Sequence, residues 1–83
     1  MQSFPILHEN EVALMRSEFS TGHVLDENFK LAVHEWQKVY TIFENLDAAI
    51  NAAERMIQEN TNIECTLLGR ENSLIRYITP GGE

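Results

Sequence analysis

Across residues 46–60, LDAAINAAERMIQEN, the apolar positions Leu46, Ala49, Ile50, Ala53, Met56 and Ile57 recur at intervals of three and four, a single stripe on a 3.6-residue period. That spacing predicts an amphipathic helix. Four alanines add helix propensity, Asn45 is placed to cap the first turn, Asp47 complements the positive end of the dipole, and Asn60, Thr61 and Asn62 supply a stop. The period then changes to two. In NIECTLLG, Ile63, Cys65 and Leu67 alternate with Glu64, Thr66 and Leu68; GRENS carries turn chemistry, and SLIRYIT alternates again before Pro80. Residues 62–79 therefore read as a hairpin.

The stretch NFKLAVHEWQKVYTIFEN, residues 28–45, satisfies two templates. On a helix, Phe29, Ala32, Val33, Trp36, Tyr40 and Phe43 would share a face. Against that stand the five consecutive β-branched or aromatic residues 39–43, which lose rotamer freedom in a helix and suit a pleated surface. A helix through Phe43 would also run into the one at Leu46 with no Gly or Pro between them. The hairpin is preferred, with strands near 29–34 and 38–44 and a turn around 35–37. Upstream, residues 3–7 suit a short edge strand containing Pro5, and residues 10–19 a short helix with Val12, Met15 and Phe19 on one side, although Ala13, Met15 and Phe19 nearly support a strand. Ser20, Thr21 and Gly22 break whatever precedes them.

These elements predict an α+β domain, an antiparallel sheet with one main helix packed on one face and a β-β-α-β-β core. If the leading segment is strand then helix, the order becomes β-α-β-β-α-β with an extra C-terminal strand, which looks like the ferredoxin-like arrangement. The chain divides into a leading segment at 1–22, a core at 23–79 and a flexible tail at 80–83, all within one domain.

Composition narrows the function. Eighty-three residues form one small domain, and 43% apolar with 23% charged residues is ordinary globular usage. Thirteen Asp and Glu against six Lys and Arg give a formal charge of −7, a field that repels phosphate backbones and anionic lipid, so neither nucleic acid nor membrane is the expected partner. No basic n-region or apolar run follows Met1, and the single cysteine fits a reducing compartment, so a cytoplasmic protein is expected.

Chemistry is sparsely signalled. His8, His23 and His34 have no ligand spacing, so no metal is expected, and with no phosphate-binding glycine motif no cofactor is either. Cys65 shares its strand face with Ile63 and Leu67 and reads as core rather than nucleophile. No catalytic residue is assigned, and an enzyme is not expected. What stands out is that the expected sheet is apolar on both sides, whereas one fifteen-residue helix covers only one. Either the N-terminal segment or another chain must cover the second. The candidate interface is His34, Trp36, Tyr40, Ile42, Leu68, Ile75 and Tyr77, and a homodimer through that face is expected. The leading expectation is thus a small acidic interaction or regulatory module. A second is an acidic inhibitor capping a basic partner such as a nuclease through Glu9, Glu11, Asp26, Glu27, Glu44 and Asp47. A third is a ligand-binding regulatory domain with its site at a subunit junction.

Overall fold

A computed structural model of the chain describes residues 3–81. Along the chain it forms β1 (Val12–Glu18), β2 (Val24–Leu25), β3 (Tyr40–Phe43), α1 (Leu46–Glu59), β4 (Ile63–Leu68) and β5 (Leu74–Ile78), with a 3₁₀ turn at Arg70–Asn72 between the last two strands. The fold is α+β, a five-stranded antiparallel sheet with one helix packed on it. Of the tail expected at 80–83, Gly82 and Glu83 lie outside the described residues.

The strand β1 is central. On one side it pairs with β4, from Ala13 opposite Leu68 to Glu18 opposite Ile63, and β5 pairs with the outer edge of β4. Its other edge is shared: β3 takes the first half, with Val12 opposite Phe43 and Met15 opposite Tyr40, and β2 takes Arg16 and Ser17. Since β3 and β4 both run antiparallel to β1, they are parallel to each other, and α1 is the crossover that joins them.

The structure replaces the helix expected over 10–19 with this central strand. A strand covered on both faces shows no alternation, and the residues 12–14 are buried in succession. A continuous apolar run of Ala, Leu and Met cannot be told from a helix by its period. With a strand first and one helix among the described residues, the ferredoxin-like alternative is not the fold formed.

Directly opposed residues of an antiparallel pair share a face, so the register sorts the side chains. Val12, Leu14 and Arg16 of β1 stand on the helix side with Phe43, Ile63, Cys65, Leu67 and Ile78. Against them α1 buries Ala49, Ala53 and Ile57, the centre of the predicted stripe. Asn45 caps the helix as expected, its side chain accepting from Ala48 N at 2.8 Å. The other face carries Ala13, Met15, Tyr40, Ile42, Leu68 and Tyr77, and the N-terminal segment crosses it: Leu7 buries against Ala13 and Leu68, and Phe4 meets the Tyr40 ring edge-on at 5.2 Å. One of the two coverings foreseen for this face is therefore present within the chain. Residues 3–7 do this without forming a strand.

Candidate functional site

Between β2 and β3 the chain leaves the edge of β1 as a loop, where a strand was expected over 29–34. The alternating Phe29, Leu31 and Val33 that suggested the strand are exposed to 46%, 46% and 72%, and Trp36 to 77%. Leu31 makes a single bridge, to Leu25 of β2 rather than to the 38–44 strand of the expected hairpin, which pairs with β1 instead. Two polar side chains, those of Asp26 and Gln37, bond to this backbone where the expected ladder would have run.

Asp26 closes the first turn. Its Oδ1 accepts from Asn28 N at 2.8 Å and Lys30 N at 3.0 Å, and its backbone N–H donates to Lys30 O at 2.8 Å. An aspartate bonding to backbone two residues ahead is the local chemistry that favours turns. Gln37, only 6% exposed, closes the second. Its Oε1 accepts from Val33 N and His34 N, both at 2.7 Å, while its Nε2 donates to Leu31 O at 2.9 Å and to Asp26 Oδ2 at 2.8 Å. The last of these joins the two turns, so the loop is stapled across its base. The hydrogen bond from Gln37, followed by that from the Lys30 backbone, holds the Asp26 carboxyl below its ordinary pKa against the opposing effect of burial. Glu27 N donates to Lys38 O at 2.9 Å and Val39 is fully buried, which fixes the exit.

Phe29 lies in the left-handed region at φ 63°, an uncommon backbone for a bulky residue, costing on the order of 1–3 kcal/mol. Its ring stands 5.9 Å from the Arg16 guanidinium. Arg16 is 1% exposed; its Nη2 donates to Thr41 Oγ1, and Nε and Nη1 have no hydrogen-bond partner. Burial lowers its pKa, and the electrostatic influence of the neighbouring Cys65, Glu27 and Asp26 opposes that shift. Cys65, directly across from Arg16, has its thiol pushed up to about 11 by burial, with Arg16 working the other way, so it stays protonated in the core.

Beside the loop, Gly22, His23, Val24, Leu31, Ala32 and Val33 line an open groove of about 320 Å³. Ala32 N donates to Val24 O at 3.0 Å and fixes one wall against the other. Trp36 and His34 stack with ring centroids 5.2 Å apart and planes 9° from parallel.

The sequence-derived interface is thus divided. His34 and Trp36 are on the stapled loop rather than on the sheet, because no strand extends to them. Tyr40, Ile42 and Tyr77 do share the helix-free face; Tyr40 packs with Phe4, Ile42 is half-exposed, and the Tyr77 hydroxyl donates to Glu64 Oε2 at 2.6 Å. Leu68 is buried beneath the N-terminal segment and is core. Ile75 leaves the alternation: the register shifts between Leu67 and Leu68, and it lines a groove with Val12, Glu44 and Leu46 at the end of the sheet.

The acidic residues do not form one surface either. Glu11 and Glu44 line that same end groove with Arg70, and the exposed Glu9 and Asp47 lie in the adjoining turn and first helical turn. Glu27 is exposed at the loop, whereas Asp26 is buried and spent on the staple, which removes it as a charge contact. Among the described residues no three His, Cys, Asp or Glu side chains gather closely enough to hold a metal ion, and no helix is long and apolar enough to cross a membrane.

Reading the residues in isolation missed Phe29, Leu31 and Val33 as exposed positions, and Gln37 as their support. Asp26 followed by Asn28 was the available signal of a turn. Gln37 carried none, since glutamine has no marked positional preference. No family, curated protein or solved structure matches the chain.

Proposed function

We propose that this chain is a non-enzymatic protein-interaction module whose binding surface is the loop stapled by Asp26 and Gln37. One observation carries the reading: six hydrogen bonds from two buried side chains fix a loop whose large apolar residues Phe29, Leu31, Val33 and Trp36 point to solvent. Rigid loops that expose apolar groups lose little conformational entropy on binding, and clustered aromatic anchors are what interfaces use. The helix-free face contributes less, because the N-terminal segment already covers its middle and leaves Ile42, Leu74 and Tyr77 around it. A reducing cytoplasm, where the buried Cys65 remains a thiol, is the compartment we assign.

The test compares native capture of partners by the wild-type chain and by a Trp36→Ser, Val33→Ser variant shown by circular dichroism to be folded. Loss of the captured protein in the variant is expected. An identical set of bound proteins with both baits refutes the loop as the surface.

The acidic-inhibitor reading is favoured by the convergence of Glu11 and Glu44 on one groove. It predicts a partner retained by the loop variant, lost in Glu11→Gln, Glu44→Gln, and released steeply by salt.

A further inference from the structure

We infer that the occupant of the loop surface is a second copy of this chain, each copy seating its Trp36 in the groove that the other offers beside Leu31 and Val33. The inference rests on the loop being a binding surface and adds what binds there. Three observations point to it.

The first is self-complementarity. A two-fold interface requires a projection and a recess on the same patch, so that residue i meets j while j meets i. Trp36, 77% exposed, is the projection, and the groove of about 320 Å³ along 22–24 and 31–33 is a recess with room for one aromatic side chain. Both belong to the same loop and the strand it leaves.

The second is area. Phe29, Leu31, Val33 and Trp36 fall within eight consecutive residues, and at their fractional exposures they present on the order of 400 Å² of apolar side chain. A standard interface buries about 800 Å² per partner, a little over half of it non-polar. The loop supplies close to that apolar share, a size at which the largest apolar patch of a monomer is often functional.

The third is charge. Lys30, Lys38 and the underlying Arg16 offset Asp26, Glu27 and Glu35, so this region is formally neutral and the −7 resides in the rest of the chain. Glu11 and Glu44 flank the Val12 end of β1, whereas the loop leaves from beside its Arg16 end. Two copies can therefore meet loop to loop without bringing their acidic ends together. The two unbonded nitrogens of Arg16 do not offer a competing anion site here, because Asp26 and Glu27 already place negative charge next to them.

Light scattering after size exclusion, over a range of micromolar concentrations, tests the proposal with three proteins. The wild-type chain is expected at twice its 9.5 kDa mass, with the emission of Trp36, its only tryptophan, shifting to the blue as concentration rises. Trp36→Ala removes the projection and Ala32→Arg fills the recess; each is expected to weaken association at least about thirtyfold, as loss of an interface hot spot does. His23→Arg, at an exposed position lining the same groove, replaces Ala32→Arg if that variant does not fold. An equimolar mixture of Trp36→Ala and the groove variant should recover part of the dimer, since one intact tryptophan then faces one intact groove. A dimer unaffected by all these changes overturns the proposal and places self-association elsewhere. A wild-type monomer throughout also overturns it, and the capture experiment above then decides the loop's role separately.

Discussion

Truncating Gln37 to alanine removes the staple while leaving every exposed apolar residue in place. Four hydrogen bonds are lost, two accepted from the backbone of Val33 and His34, one donated to Leu31 O and one to the Asp26 carboxylate. Neutral hydrogen bonds contribute about 1 kcal/mol each and charged ones about 1.5–3 kcal/mol. They are not additive, and water reaches part of the opened site, so the expected loss is about 3 kcal/mol. For a domain of this size that lowers the melting temperature by about 10–20 °C. Two probes separate local from global effects in urea, far-ultraviolet circular dichroism for the sheet and helix and Trp36 emission for the loop itself. In the wild-type chain the transitions should coincide. In Gln37→Ala the Trp36 transition should come first, because the loop opens before the sheet. Gln37→Glu keeps the acceptor but sets a second carboxylate against Asp26, so it should also destabilise, with partial recovery on acidification. A Gln37→Ala variant within about 0.5 kcal/mol of wild type by both probes, which is the spread of ordinary surface substitutions, would refute the staple.

Four further outcomes follow from the same geometry. Since the folded-state pKa of Asp26 is lowered, its carboxylate stabilises fully above its unfolded value and loses that effect as pH falls through the folded value; Trp36 emission should report acid opening below the ordinary carboxylate range, moving upward in Gln37→Ala. Cys65, buried with its pKa at about 11, should resist alkylation at neutral pH until denaturant is added, and rapid labelling of the native protein would contradict its place in the core. Asn45→Ala removes the cap from α1 and should cost about 1 kcal/mol in urea unfolding, an unchanged midpoint counting against the cap. Arg16→Met exchanges a buried guanidinium with two unbonded nitrogens for an apolar side chain of similar length and should raise stability by about 1 kcal/mol; a marked loss would show that its contacts with Thr41 and Phe29 outweigh its desolvation.

The parts of the fold that were legible are those whose side chains sort into one wet and one dry side. The stripe from Ala49 to Ile57 and the alternation of Ile63, Cys65 and Leu67 pack the residues their periods select into the core, with Leu46 at the start of the stripe left exposed. The strand β1 was not legible for the opposite reason: Val12 and Leu14 face the helix while Ala13 faces Leu7, so both periods fade. In residues 29–33 the alternation is present but points outward, with a backbone satisfied by the side chains of Asp26 and Gln37 and a short contact with β2 rather than by a ladder to 38–44. No period records such a contact, because the two residues stand eleven positions apart and each acts once. Of the candidate interface, Trp36 and His34 are expected on the uncovered face of a strand and do lie exposed, but on a loop rather than on the sheet.

The central claim is that the loop is rigid while its apolar groups are exposed, and amide hydrogen exchange in dilute solution tests it most directly. The amides of Asn28, Lys30, Val33 and His34 donate to Asp26 and Gln37 and should exchange slowly, with protection that disappears from Val33 and His34 in Gln37→Ala. Exchange of these four amides at the rate of an unstructured chain in the wild-type protein would contradict the account.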